Sequence, residues 1–232
     1  MIISILQPSF IPWIGYFAII EKSDFVVFLD HVQFDKRSRQ QRNTIKTNTG
    51  PLYLTVPVSS KNKFHQKINE VEIDNNEKYV EKHLKSIQYN YSKTKYFEKY
   101  FPEIRKIYKK EEKNLLNLNM NFILMIAKEI LSNKIKFEFS SNLKLVSKKN
   151  DLIIDICKFY KAKKYLSTIG SKGYLIEKQF KKENIELVYS NFEHPSYEQI
   201  NGKFLPNLSA IDLLLNCGEN SKSFISHSIS NI

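Results

Sequence analysis

The chain alternates short apolar runs with longer stretches in which apolar residues recur at helical spacing. Residues 2–6 and 25–29 predict two buried strands, and residues 14–22 between them are long enough for a helix. A strand, a helix and a second strand in succession are typical of a parallel sheet. Residues 52–58 predict a third strand, and Pro57 places it at a sheet edge or ends it there.

The middle and the end of the chain continue this alternation. Between residues 76 and 132, apolar side chains at steps of three and four, such as Leu115, Leu118 and Phe122, mark one face of a long helix. The later segments predict strands at 135–139, 164–167 and 187–190 and helices at 152–160, 174–182 and 209–216. The pattern predicts an α/β fold with a Rossmann-like, mostly parallel sheet and a helical insertion or lobe in the middle of the chain.

We divide the chain into the N-terminal half of the α/β domain (1–75), a helical insertion or lobe (76–133), the C-terminal half of the domain (134–218) and a frayed polar tail (219–232). No apolar run reaches the roughly 20 residues of a membrane-spanning helix, and the N-terminus lacks a basic targeting region. Cys157 and Cys217 are too few for a disulfide framework and have no metal-ligand spacing. We therefore expect a cytoplasmic protein without membrane insertion or a bound metal. The sequence does not determine its oligomeric state.

The net charge is +12, from 36 Lys and Arg residues against 24 Asp and Glu. The lysines are spread along the chain, which weakens the total as an argument for a nucleic-acid surface. Only four basic residues are Arg, and Arg37, Arg39 and Arg42 lie within six positions. A guanidinium offers a planar fork for phosphate or carboxylate that an ammonium cannot copy, so this cluster predicts an anion site. The alternative is a solvated basic face.

Ligands of α/β sheets bind beyond the carboxyl ends of the strands, and four segments of the sequence fall there. In residues 7–16, two prolines fix a loop, and Gly15 begins a helix whose free N–H groups favour anions. The alternative is that Trp13 and Phe10 only fill the core. Residues 30–46 predict a helical or loop stretch, and a helix would bring positions 39, 42, 43 and 46 to one face, where several donors converge on a phosphorylated ligand.

The other two strand-end segments carry weaker signals. Residues 167–173 (STIGSKG) place two glycines near hydroxyls, as in a phosphate-binding loop, but match neither G-x-G-x-x-G nor the Walker spacing; a plain turn is the alternative. Residues 192–199 contain His194, whose imidazole suits proton transfer near neutral pH, although a lone histidine is more often structural. His31 also lies in a strand-end loop. Without a nucleophile elbow or a suitably placed cysteine, acyl-enzyme chemistry is disfavoured.

Seven blocks, in this order, resemble one family of bacterial proteins. They read ILQPSFIPWIGYF, FVVFLDHVQFDKRSRQQRN, IKTNTGPLYLTVPV, KHLKSIQYNY, YLSTIGSKGYL, FEHPSYEQ and FLPNLSAIDLLLNCG. On these blocks the chain resembles the WbqC-like family over residues 2–218. Members are encoded among genes for O-antigen and other surface polysaccharides. The resemblance implies transfer of glycine or a related acyl group to the amine of a nucleotide-linked amino sugar.

A remoter similarity is to the nucleotidylyltransferase and pantothenate-synthetase superfamily, which opens with a strand, an H-x-G-H loop on a helix and a strand ending near Gln-Phe. The matching stretches here are WIGY at residues 13–16 and Gln33-Phe34, so both histidines that would contact ATP are missing. The frame implies a Rossmann-like fold. The acyl group would come either from an amino acid activated with ATP or from an already activated acyl donor, and no further cofactor is indicated.

These signals lead us to expect an enzyme that forms an amide on a sugar nucleotide. The three clustered arginines and Lys46 would hold the pyrophosphate. Trp13 or Tyr16 would pack against the sugar or base, and Asp30 or His194 would deprotonate the amine. Further substrate contacts are expected from Gln7, Gln33, Asn43, Ser167, Gly170, Tyr197, Gln199 and Asn207. The alternatives are an RNA-binding protein, including one that reads aminoacyl-tRNA as acyl donor, and a non-catalytic sugar-nucleotide-binding module.

Overall fold

Strands and helices alternate along most of the chain in the computed structural model, which describes residues 1–61, 63–75, 78–132 and 134–229. The strands are β1 (Ile2–Leu6), β2 (Phe25–Phe28), β3 (Arg42–Thr47), β4 (Gly50–Thr55), β5 (Phe137–Phe139), β6 (Lys164–Ser167) and β7 (Glu186–Tyr189). The helices are α1 (Ile14–Glu21), α2 (Tyr79–Tyr91), α3 (Phe97–Tyr108), α4 (Leu115–Ile130), α5 (Lys149–Phe159), α6 (Glu177–Lys182), α7 (Ala210–Cys217) and α8 (Ser221–His227). Short 3₁₀ turns lie at Ile68–Glu70, Ser140–Leu143, Ile169–Ser171 and Gly218–Asn220.

Five strands form a parallel sheet in the order β5-β2-β1-β6-β7. β1 pairs with β2 along its length and with β6 at its start. The chain runs outward from β1 through β2 to β5 and then crosses back to β6 on the other side of β1. The strand order therefore reverses between β1 and β6, where open α/β sheets place their ligands. This architecture confirms the predicted Rossmann-like α/β fold.

The central strands are buried on both faces because alternate side chains enter two different apolar layers. Ile3 and Val27 lie in the layer that contains α5 and α6. Leu6 and Phe28 lie in the opposite layer, with apolar residues of α1, α4 and α7. Strands covered on both sides need apolar residues at nearly every position, which explains the continuous apolar runs of β1 and β2.

Residues 42–47 form strand β3, so the helical interpretation of this stretch is wrong. β3 pairs with β4 in an antiparallel hairpin outside the parallel sheet, from Arg42↔Thr55 to Thr47↔Gly50. Thr44 and Ile45 are β-branched and buried, which favours an extended backbone. The strand predicted at 52–58 is β4, which ends before Pro57.

The helices of the middle chain are α2, α3 and α4, and the predicted bounds at residues 76 and 133 lie outside the described residues. Leu118 and Phe122 are buried along one face of α4, as the periodicity predicts. Asn114 caps this helix, because its side-chain oxygen accepts hydrogen bonds from two backbone N–H groups of the first turn. These helices share one apolar cluster with α1, α7 and α8. The division of the chain into a lobe and two half-domains stays a prediction.

The end of the chain packs on the core where we expected a frayed tail, so that expectation is wrong for residues 219–229. Helix α8 follows a short 3₁₀ turn. Ile225 is 0% exposed and Ile229 is 2% exposed. Burial of these two isoleucines stabilises the packed segment, although its polar composition had suggested fraying. Residues 230–232 lie outside the described part of the chain. No helix of the described residues is long and apolar enough to cross a membrane.

Candidate functional site

The loop of residues 7–13 follows β1 at the point where the strand order reverses. Within it Ile11 is buried and has φ 35°, in the left-handed region that a β-branched residue rarely adopts. Such backbone strain persists only where the surrounding structure holds it, and it concentrates at functional sites. We therefore take this loop as one wall of the candidate site.

Asn43 of β3 holds this strained loop. Its side chain is 1% exposed, and its Nδ2 donates hydrogen bonds to the carbonyl oxygens of Phe10 (3.3 Å) and Ile11 (2.9 Å). An Nη1–H group of Arg39 donates to Asn43 Oδ1, and the backbone N–H of Phe10 donates to the Arg39 carbonyl at 3.0 Å. Asn43 thus holds the backbone conformation of the loop. Its hydrogen bond with Arg39 also holds the Arg39 side chain next to the loop.

Two buried glutamines hold the arginine loop, residues 35–41, and Gln40 fastens it to the end of β1. Gln40 accepts a hydrogen bond from the Asp35 backbone N–H (3.0 Å) and donates one to Gln7 Oε1 (2.8 Å). Gln41 accepts from the backbone N–H of Arg37 at 2.8 Å. Neither glutamine was singled out from the sequence, where only the adjacent arginines stood out. They present Arg37 and Arg39 to solvent.

The three clustered arginines retain free hydrogen-bonding capacity. Arg37 and Arg39 are exposed, and Arg42 is half-buried with its guanidinium 4.7 Å from the ring centre of Tyr53. Within the described ranges, none of the three forms an ion pair with a carboxylate. Guanidinium groups without an ion-pair partner, next to the switch point, can donate hydrogen bonds to the oxygens of a phosphate or carboxylate.

Tyr16 and Trp13 shape the other side of the same loop. Tyr16 is buried, its hydroxyl donates to the Gln7 carbonyl at 3.2 Å, and burial raises its pKa well above the ordinary value. Trp13 is half-buried and meets Phe192 edge to face, with ring centres 4.8 Å apart. A Cβ at Gly15 would overlap the Trp13 ring, so glycine permits this placement. Trp13 is accessible to a ligand, whereas the Tyr16 hydroxyl is committed to the loop.

Asp30, at the carboxyl end of β2, accepts hydrogen bonds at every lone-pair position of its carboxylate. Oδ1 accepts from Ser140 Oγ (3.0 Å) and from the Ser141 backbone N–H (2.8 Å). Oδ2 accepts from Ser141 Oγ (2.6 Å) and from Asn69 Nδ2 (3.3 Å). The side chain is 3% exposed and ties the end of β2 to two distant segments. It would have to break these hydrogen bonds before it could accept a proton.

His194 also has both ring nitrogens engaged. Nδ1 lies 2.9 Å from the Pro195 carbonyl, so it carries the proton and donates, and Nε2 accepts the backbone N–H of Asn207 at 3.1 Å. Burial lowers the pKa of His194 below its usual range, against the smaller opposing effect of the Pro195 carbonyl. The neutral ring thus clamps the segment that leads to Asn207, which itself adopts φ 62°.

Lys46, Tyr197 and Gln199 meet in a buried network around Asp212, which we call the Asp212 cluster. Asp212 is 0% exposed and accepts hydrogen bonds from Tyr91 (2.7 Å), Tyr197 (2.7 Å) and Gln199 (2.9 Å). Burial raises the pKa of Asp212, while these donors and the Lys46 charge oppose the rise. The sequence analysis did not assign Asp212 to the candidate site, although a carboxylate inside an apolar helical run was the available signal.

The Lys46 ammonium is saturated within this cluster. Its Nζ donates to Gln199 Oε1 (3.0 Å) and to the carbonyls of Gly202 (3.3 Å) and Lys203 (2.6 Å), and the residue is 3% exposed. Three acceptors use all three protons of the ammonium. Lys46 therefore fastens the hairpin to residues 199–203, and a phosphate would have to displace those acceptors.

The remaining predicted contacts lie at separate places on the carboxyl edge. Ser167 is buried and hydrogen-bonds Ser171 Oγ at 2.7 Å, whereas Gly170 is exposed in the turn after β6. Gln33 is exposed, and its Nε2 donates to the Phe64 carbonyl at 3.0 Å. Hydrogen bonds thus join Asn43 and Arg39 directly to the loop of residues 7–13, which contains Gln7 and Trp13. Hydrogen bonds from Ser209 to Thr44 and from Ala210 to Pro12 connect this group to the Asp212 cluster.

The strand reversal, the strained loop and the exposed arginines define a Rossmann-like α/β protein with a cationic loop at its switch point. A model of the WbqC-like protein family matches residues 7–224, and the chain belongs to this family. The chain is 30% identical over 224 residues to the uncharacterized protein Rv1507c of Mycobacterium tuberculosis. The aligned region covers 96% of this chain and 96% of that protein. No solved structure matches the chain significantly.

Proposed function

We propose that this protein is an N-acyltransferase that forms an amide on the amine of a nucleotide-linked amino sugar during synthesis of a bacterial surface polysaccharide. The observation that carries the proposal is the pair of exposed guanidinium groups of Arg37 and Arg39, which form no ion pair within the described residues and lie on a loop fastened through Gln40 to the end of β1. A sugar nucleotide presents a diphosphate, which two planar guanidinium forks can bind in bidentate fashion. Family membership supports the same role.

The arginine loop and the loop of residues 7–13 would bind different parts of the ligand. Arg37 and Arg39 take the diphosphate oxygens, and Arg42 adds a third cation from the start of β3. The half-buried rings of Trp13 and Phe192 form an apolar wall of suitable size for a sugar or base. With the diphosphate fixed, the sugar amine lies over the carboxyl edge of the sheet, where positioning makes the reaction effectively unimolecular.

The reaction joins the amine nitrogen to an activated acyl carbon. The C–N bond forms, the bond from the acyl carbon to its leaving group breaks, and the leaving group departs with the electron pair and one amine proton. The acyl donor is a glycyl or related acyl group, activated either with ATP or as an ester such as that of a charged tRNA. A base must accept the amine proton, because a protonated amine has no lone pair with which to attack.

The proposal is tested by incubating the protein with a panel of nucleotide-linked amino sugars and three donor mixtures. These are glycine with ATP, glycyl-tRNA, and a glycyl thioester. We expect the mass of one sugar nucleotide to rise by one acyl residue. Turnover of none of the panel with any donor contradicts the proposal, and tight sugar-nucleotide binding without turnover identifies a binding module instead.

The arginine loop offers matched variants for the binding step. Arg37→Lys and Arg39→Lys keep the charge and lose the fork, so together they should weaken sugar-nucleotide binding about tenfold or more. Lys36→Gln removes one exposed charge from the same loop and is the control. Equal affinity of all variants contradicts the diphosphate site. Preferential binding of RNA that weakens steeply with salt would favour the RNA-binding alternative.

A further inference from the structure

His31 belongs to a hydrogen-bond relay that fixes which of its ring nitrogens carries the proton. Ser140 Oγ lies 3.0 Å from Asp30 Oδ1 and 2.6 Å from His31 Nδ1. A carboxylate only accepts, so the single hydroxyl proton of Ser140 goes to Asp30. Ser140 Oγ then accepts from His31, as it also does from the Asp30 backbone N–H at 3.2 Å. His31 Nδ1 therefore carries a proton, and the neutral form of the ring has its lone pair on Nε2.

That lone pair is free and accessible, unlike those of the other histidines on the sheet or in the core. Within the described ranges Nε2 of His31 has no hydrogen-bond partner, and the residue is half-buried. His194 uses both nitrogens, and His83 is 5% exposed. A neutral imidazole held through Nδ1 with a free Nε2 is the arrangement that a general base requires.

His31 also stands at the correct edge of the sheet. It follows β2, the strand next to β1, and therefore lies at the carboxyl edge of the sheet, where the loop of residues 7–13 also leaves β1. The chain then leads within four residues to the arginine loop, whose Asp35 is bonded to Gln40. A ligand with its diphosphate on the arginines and its sugar over the sheet edge would present its amine on this side.

We propose that His31 is the general base of the acyl transfer, with Ser140 and Asp30 as positioning residues; this inference rests on the proposed function. His31 Nε2 takes a proton from the attacking amine as the C–N bond to the acyl carbon forms. It returns that proton to the departing oxygen or sulfur of an activated acyl ester or thioester as that bond breaks. Ser140 and Asp30 hold the ring in the tautomer that leaves Nε2 unprotonated.

The first test reads the tautomer without any substrate. Nitrogen-15 NMR of the imidazoles should find His31 as the Nδ1–H tautomer in the wild-type protein, and Ser140→Ala should remove this preference. A merely structural serine would leave the tautomer unchanged. The Nε2–H tautomer in the wild type would overturn the proposal. Because Ser140 is fully buried, its substitution could affect folding. A cooperative thermal unfolding transition of Ser140→Ala establishes that the variant is folded.

The second test uses turnover of the amino sugar identified by the mass assay. His31→Ala should lower kcat about 10²–10⁴-fold with little change in KM, and added imidazole should restore part of the rate. His65→Gln changes an exposed histidine and should retain the wild-type rate. Full activity of His31→Ala overturns the role of His31 and leaves the proposed function intact. No product from the wild-type protein overturns the proposed function, and the role of His31 with it.

Discussion

His83 should make the folded state lose stability as the pH falls. Its ring is 5% exposed, Nδ1 lies 3.0 Å from the Tyr108 hydroxyl, and the ring also bonds the Thr55 backbone. Burial lowers its pKa from 6.5 to about 4, and the Thr55 carbonyl opposes this only partly. Between these values the unfolded chain binds a proton that the folded chain does not. The free energy of unfolding then falls by about 1.4 kcal/mol for each pH unit, or about 3 kcal/mol over the whole interval.

Urea denaturation of the wild-type protein and of His83→Gln, from about pH 7 to about pH 4, measures this effect. The free energy of unfolding of the wild type should fall more steeply, so that the difference between the two proteins shifts by about 3 kcal/mol in favour of the variant at low pH. His65→Gln is the exposed control and should follow the wild-type slope. Parallel pH curves for the wild type and His83→Gln would refute the reasoning, because they would show that His83 titrates alike in both states.

Three further variants test the packing around the candidate site. Asp212→Ala leaves buried donors unpaired and should lower the free energy of unfolding by about 3–5 kcal/mol in denaturant titrations; a loss below about 1 kcal/mol contradicts the Asp212 cluster. Asn43→Ala releases the strained Ile11 loop and should cost about 1–3 kcal/mol and weaken sugar-nucleotide binding, and unchanged binding contradicts its positioning role. Gly15→Ala should displace the Trp13 ring and change the fluorescence of this single tryptophan, whereas an unchanged spectrum shows that the ring stays in place.

The sequence by itself predicted the parts of the fold that depend on neighbouring residues. Burial repeats along a strand or helix with a fixed period, so local spacing is enough to predict these elements. The apolar runs of β1 and β2 and the periodic apolar face of α4 were predicted in this way. The order of these elements was sufficient for the α/β class. The same local reasoning failed at residues 42–47, where the spacing of the donors fitted a helix but the β-branched Thr44 and Ile45 lie in a hairpin.

The tertiary structure decided which polar residues remain available for chemistry. Lys46 is saturated by residues about 150 positions away, and Asp30 by serines 110 and 111 positions away. No local pattern encodes such partners, because hydrogen bonds between distant segments exist only once the chain has folded. The sequence therefore marked the arginines and the strand ends as the place for a ligand. Only the fold showed that Arg37, Arg39 and His31 keep free donors or a free lone pair there.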